Sequence, residues 1–359
     1  MIGNRIKLAR EACGWSLRDL EAKIEGLVSA QAIGKYERNE MTPSSKVLLA
    51  LATALGVEPE FLLSEKEIEL EAVDFRKAPA EGARDERSVN AMVLDAAERY
   101  LELESIFPDT RITWSAPHFA EFKLTKVEDA EAAAERLRKH LRLGIAPIES
   151  MTELLEDQGI KVIALALPES VSGSKAYASV VDGERVAMIV VNDRHNGERQ
   201  RFTLAHELGH LVIDWPAGTG QEHERAADRF AGAFLMAKEM VEKVIGRSRT
   251  AITFGELEAV KRVFKVSLAA IVVRLKQLNI ITKTFYGELW AVILQRGLNQ
   301  VGAPEPDSIA QEVPGRARRL ALRAVAEGAI SESKAAELLR MKRRELAKLL
   351  DPEPAYQPA

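Results

Sequence analysis

The run Thr203-Leu204-Ala205-His206-Glu207-Leu208-Gly209-His210-Leu211 contains His-Glu-x-x-His. On a helix, residues four apart share one face, one turn apart. His206 and His210 can therefore aim two imidazoles at one metal ion. Glu207 stands beside them, placed to take a proton from a water at that metal. Phe202, Leu204, Ala205, Leu208 and Leu211 give the helix apolar faces, and Asp214-Trp215-Pro216 stops it. At this chain's own His and Glu usage, the pattern arises by chance in about one such chain in a hundred. That favours a metal site over two unrelated histidines beside an acid.

A catalytic zinc takes three protein ligands and leaves one position open. After the turn Ala217-Gly218-Thr219-Gly220, a second helix offers Glu222, His223 and Glu224 as the third ligand. Glu224 ranks first because it stands four residues before Asp228, in the Glu-x-x-Ala-Asp order of zinc peptidases with a glutamate ligand. Asp228, one turn on, is placed to bond the outer nitrogen of a ligand histidine. Ala226, Ala227, Ala231, Gly232 and Ala233 let the two helices approach closely. Tyr177, His195 and His223 are candidates for stabilising an oxyanion. Zinc and manganese both suit two histidines and a glutamate.

The elements that carry these residues follow a readable order. Ser88 caps a helix over Val89 to Phe107. Glu128 to Leu143 is helical, and its cluster Arg136, Arg138, Lys139 and His140 reads as a solvated face. Ile148 to Gln158 is a further helix. Strands follow at Lys161–Leu167, Ala176–Val181 and Val186–Val191, the last two joined by the hairpin signal Asp182-Gly183. A three-stranded sheet is expected, and its second strand is the candidate edge for an extended peptide.

Residues 127 to 285 resemble the ImmA/IrrE metallopeptidases. The resemblance rests on Arg201 to His210, on Glu224 to Met236 and on Val266 to Leu278. Ala237 stands where that family often has proline. The resemblance implies a zincin-like endopeptidase that cleaves a regulatory protein, often a repressor, in phage, mobile-element or stress control.

Arg5 to Leu63 reads as five short helices, with Ser16 and Ser29 capping the second and third. It resembles the XRE-type (Cro and phage-repressor) DNA-binding family, and Ala32-Ile33-Gly34-Lys35-Tyr36-Glu37-Arg38-Asn39 ends the recognition helix. It departs by about two extra residues in the turn Glu25-Gly26-Leu27-Val28. The resemblance puts Ser29, Ala30, Gln31, Gly34 and Lys35 along the major groove, with Arg38 and Lys46 on the backbone. Residues 1 to 64 hold eight Lys or Arg and eight Asp or Glu. Operator binding therefore rests on geometry and on a homodimer more than on charge.

The expected architecture is multidomain and mainly α with a small β-sheet. It comprises an all-α helix-turn-helix head (1–66), a linker and helical segment (67–126), an α+β zincin-like metallopeptidase core (127–285), and a helical basic region with a loose tail (286–359). The linker is charged, with a docked segment expected at Val73-Asp74-Phe75-Arg76. Pro304, Pro306 and Pro314 read as a second linker. Residues 316 to 350 hold ten Lys or Arg against four Glu. Their turn Arg340-Met341-Lys342 makes them resemble a second helix-turn-helix, but a structural or partner-binding helical cap is the preferred reading.

The chain has 359 residues, 47% of them hydrophobic, and a formal charge of −4, so any nucleic-acid binding must be local. A single cysteine, Cys13, rules out an internal disulfide and a cysteine-rich metal site, and suits a cytoplasmic location. No signal-peptide core or membrane-spanning run is expected. The expected function is a DNA-binding regulator that carries a metal-dependent endopeptidase acting on a repressor-like protein. The alternative is a metal-binding repressor, or an antitoxin-like partner-binding protein, without proteolytic activity.

Overall fold

A computed structural model describes residues 2–57, 59–63, 69–71, 83–169, 171–179, 185–215, 220–300, 303 and 305–351. The head is α1 (Ile2–Ala12), α2 (Leu17–Lys23), α3 (Ala30–Glu37), α4 (Ser45–Leu55) and α5 (Pro59–Leu63). Ser16, Ser29 and Ser44 each cap the next helix by accepting from the amide three residues on. Ile6, Leu20, Ile33, Leu51 and Leu62 fill its core. The long α2–α3 turn reverses through Glu25 and Gly26, both with positive φ (52° and 70°).

The helix expected to start at Ser88 starts earlier, as α6 (Ala83–Ile106). Its 24 residues span about 36 Å, and three parts of the chain dock on it. Arg5 of α1 pairs with Glu98, whose pKa burial raises to about 7 against the opposing pull of Arg5. Its apolar stripe, with Val93 and Ala97, covers one face of the sheet, and Leu103 and Phe107 meet the C-terminal helices.

The sheet has four strands, one more than expected. They are β1 (Glu69–Glu71), β2 (Lys161–Leu165), β3 (Gly173–Ser179) and β4 (Arg185–Asn192), in the order β1-β3-β4-β2. β2 is parallel to β4, and β3 is antiparallel to both β4 and β1. β1 comes from the expected linker, so the outer side of β3 is covered from Tyr177 to Ser179. The hairpin signal Asp182-Gly183 and the segment Val73-Asp74-Phe75-Arg76 lie outside the described residues. Along β4, Val186, Met188 and Val190 face α6, while Ala187, Ile189 and Val191 face the main core. This alternation is what a strand covered on both sides requires.

The main core is built from α7 (Ala130–His140), α8 (Met151–Asp157), α9 (Gly197–Val212), α10 (Gly220–Leu235), α11 (Lys238–Ile245), α12 (Phe254–Phe264), α13 (Leu268–Gln277) and α14 (Lys283–Gln295). Arg138 does not belong to a solvated face. It is buried, donates to the carbonyls of Gly144, Phe234 and Ala146, and burial lowers its pKa to about 10. A boundary at 285 would cut α14, whose Ile293 is buried and whose Phe285, Leu289 and Trp290 pack on the core.

The stretch expected as a second linker is a strap sewn to α9. Glu312 accepts from the amides of Met151 and Thr152 and pairs with Arg201. Glu198 pairs with buried Lys261 and accepts from the Ile309 amide (3.0 Å). The strap presses so close that a Cβ on Gly197 would sit 2.3 Å from the Ala310 carbonyl. Beyond it lie α15 (Arg316–Ala326), α16 (Glu332–Leu338) and α17 (Arg343–Leu350). No helix among the described residues is long and apolar enough to cross a membrane.

Candidate functional site

Asn196 caps α9 at the end of β4, which starts the metal-motif helix directly off the sheet. His206 and His210 lie one turn apart, with Nε2 atoms 2.9 Å from each other. Glu224 reaches across from α10, with Oε2 3.6 Å from His206 Nε2 and Oε1 3.3 Å from His210 Nε2. Ligand atoms of all three lie within 4.8 Å of one another. Among the described residues no other group of three His, Cys, Asp or Glu side chains converges in this way.

A tetrahedral ion with bonds near 2 Å spaces its ligand atoms about 3.3 Å apart. The Glu224 oxygens already stand near that spacing. The two rings need to part by only a few tenths of an ångström, so this trio fits a divalent metal. Burial lowers the pKa of His210, favouring the neutral imidazole that binds metal.

Close packing produces this convergence. The small face of α10, with Ala226, Ala227 and Ala231 fully buried, lies on α9. A Cβ on Gly209 would reach 3.0 Å from the Phe230 ring, so glycine sets that approach. On the other side of α9, a Cβ on Gly173 would meet Thr203 Cγ2 at 2.5 Å and the Val190 carbonyl at 2.7 Å. Helix and strand therefore touch here, and the Lys175 amide donates to Glu207 Oε2 (3.0 Å). Glu207 is only 4% exposed. It does not join the converging trio, and it lines the adjoining cleft.

The outer nitrogens of both histidines are engaged. His206 Nδ1 bonds Asp228 Oδ1 (2.7 Å), as the spacing on α10 led one to expect. His210 Nδ1 bonds His223 Nε2 (3.2 Å). His223 therefore stands behind His210 and outside the converging trio, and its ring stacks on Trp215. Its pKa is lowered first by burial and then by the neighbouring His210 and Lys175. Glu222 is exposed and outside the trio.

Of the other oxyanion candidates, His195 is buried against the Glu169 carbonyl (3.2 Å) and does not line the cleft. The Tyr177 side chain lies outside the described residues. Sequence reasoning missed the cleft itself, about 750 Å³ in volume. Thr203 and Glu207 line one side, and Arg199, Phe202, Val273, Trp290 and Leu298 line others. Trp290 and Leu298 come from beyond the boundary drawn at 285, and no local pattern marked them.

In the head, Ser29, Gln31, Lys35, Arg38 and Lys46 are exposed, and Ala30 is half-buried. Gly34 differs from these in exposure. It is buried, with the Arg38 guanidinium (3.3 Å) and Leu17 Cδ1 of α2 (3.4 Å) nearest the position a Cβ would take. Arg38 is bound to Glu40 (2.6 Å), which shares its charge.

Compared with known families, residues 155–276 match the model described as the IrrE N-terminal-like domain, a peptidase family. Residues 6–62 match the model described as helix-turn-helix. The chain thus joins a DNA-binding type of head to a metallopeptidase-like domain. A comparison with curated proteins returns no match.

Proposed function

We propose that this protein is a DNA-binding regulator whose metallopeptidase core hydrolyses a peptide bond in a repressor-like protein. The observation that carries the reading is the convergence of His206, His210 and Glu224 beside the buried Glu207 at an open cleft. These three residues would hold zinc or manganese. When bound, the ion supplies Lewis-acid chemistry, lowering the pKa of a water and polarising a carbonyl.

Glu207 acts as general base and then as general acid, taking a proton from the water and delivering it to the leaving amine. The Lys175 amide fixes the carboxylate for this task. Asp228 and His223 orient the two imidazoles. With Nε2 turned to the metal, His210 carries its proton on Nδ1, so it donates to His223 Nε2. β1 covers β3 from Tyr177 to Ser179, whereas Gly173 to Lys175 lie beyond that register, beside Glu207. An extended substrate adds to β3 at this end by backbone hydrogen bonds.

The head reads a two-fold operator as a homodimer, with Gln31 and Lys35 on base edges and Lys46 on the backbone. The test is to incubate the full chain and zinc or manganese with repressor-type proteins encoded near it, alongside Glu207→Gln. Metal-dependent cleavage that the variant lacks supports the reading. Metal binding and operator binding without cleavage of any candidate would favour a metal-binding repressor instead.

A further inference from the structure

α15, α16 and α17 form a three-helix unit around a core shared with Leu103 and Phe107, in which Leu320, Ala324, Ala335, Ala336, Leu338 and Leu346 are buried. Ser331 caps α16 by accepting from the Lys334 amide, as Ser16 caps α2 in the head. Only Leu339, Arg340, Met341 and Lys342 separate α16 from α17. Arg340 has φ +50°, the left-handed step that a glycine often supplies in such a turn. A short helix, a four-residue turn with one left-handed residue and a second helix make a helix-turn-helix. Its turn is shorter than the one in the head.

The basic residues divide into two sets. Most of those on α15, on α16 and in the turn before Lys342 are paired within the protein, Arg318 being a half-buried exception. Arg316 is paired with Glu104, Arg323 with Glu327, Lys334 with Glu102 and Glu337, and Arg340 with Asp95. Lys342, Arg343, Arg344 and Lys348 are exposed, and no ion pair engages them among the described residues. Arg344 and Lys348 lie opposite the buried Leu346, while Lys342 and Arg343 stand one turn before it, at the start of α17. In a helix-turn-helix, the start of the second helix is what enters the major groove.

The unit is also held firmly in place. Arg340 donates to Asp95 (3.1 Å) and Arg99 donates to the Leu338 carbonyl (2.9 Å). Asp95 lies three residues from Glu98, where the head docks through Arg5. Residues three apart are neighbours on a helix, so both units are anchored within one turn of α6.

We propose that α15–α17 is a second DNA-binding unit, with α17 as its groove helix and Lys342, Arg343, Arg344 and Lys348 as its contacts to duplex DNA. This assignment departs from the reading of these helices as a structural or partner-binding cap. It stands independently of the head, whose own contacts are Gln31, Lys35 and Lys46.

The test uses the full chain and a labelled mixed-sequence DNA duplex, with affinity measured across a salt series. Arg343→Gln/Arg344→Gln is combined with an intact head and with a head carrying Lys35→Ala/Lys46→Ala. With either head, loss of the two arginines should lower the slope of log affinity against log salt by about 1.8. The head-substituted chain should keep a salt-dependent affinity that disappears only when the arginines are also replaced. Unchanged affinity and slope in a variant that melts like the parent would overturn the proposal and leave α17 for a protein partner. Tighter binding of an RNA hairpin than of the duplex would overturn it too. If binding falls only with the head substitutions, the head stands and the second unit falls. If it falls only with the arginines, the reverse holds. Lys342→Gln/Lys348→Gln provides the same readout should the first pair fail to fold.

Discussion

Replacing Glu312 with Gln tests whether the strap is part of the catalytic core. The carboxylate pairs with Arg201, a side chain on the metal helix that is 1% exposed. It also accepts from the Met151 and Thr152 amides (both 3.1 Å) and from Thr152 Oγ1 (3.0 Å). Burial opposes its charge, but these amides and Arg201 outweigh it, so its pKa lies below the usual 4.5. Removing one partner of a buried ion pair costs about 3–5 kcal/mol. Gln keeps one acceptor, and Arg201 keeps the carbonyls of Ile148 and Glu149, so we expect the lower end, about 3 kcal/mol. For a core of this size that lowers the melting temperature by about 6–12 °C. A depressed folded-state pKa contributes stability above 4.5 that is lost as pH falls through the lowered value. The variant should therefore narrow its gap to the parent on acidification. Thermal melts followed by near-ultraviolet circular dichroism, with bound metal measured in parallel, check both effects. Arg262→Ala, which breaks the exposed pair with Asp307, is the control and should cost less than about 1 kcal/mol. If Glu312→Gln costs no more than this control, the strap is a surface linker and the reasoning fails.

Glu207→Gln should retain metal and fold while any metal-dependent proteolysis falls by about a hundredfold or more; metal loss equal to that of His206→Ala would show Glu207 to be a ligand. Glu224→Ala should empty the site more than Glu222→Ala or His223→Ala, as elemental analysis would report. His223→Ala should weaken metal affinity by about 10–100-fold, as expected for a residue behind a ligand, and a site emptied by His223→Ala alone would revise the ligand set. Gln31→Ala should relax base preference at a cost of about 1–3 kcal/mol, whereas Lys46→Ala should weaken all sequences alike and flatten the salt slope. A selection experiment that returns no two-fold motif would make the head a protein-binding unit.

Local pattern carried what could be read in advance. His-Glu-x-x-His needs only the helical repeat to put two imidazoles on one face, and Ser16, Ser29 and Ser44 mark helix starts through bonds to amides three residues away. The mistakes share one cause. Arg138 looks solvated in a run of basic residues, yet it is buried among three carbonyls, those of Gly144 and Ala146 just downstream and that of distant Phe234. The stretch around Pro306 and Pro314 looks like a linker, yet Glu312 within it is bonded to Arg201 and to the Met151 and Thr152 amides.

By itself, the sequence determined the helices of the head, the metal-motif helix and the carboxylates on the helix that follows, because periodicity, caps and turn residues act over a few positions. Tertiary structure decided the rest. Gly209 and Gly173 let α9 lie tightly between α10 and β3, which is how Glu224 reaches the histidines and the Lys175 amide reaches Glu207. The strap at 305–315 and the walls Trp290 and Leu298 meet the site from about a hundred residues away. The partner of a buried charge, or the far wall of a cleft, is fixed by which segments pack together. No spacing within one segment encodes that.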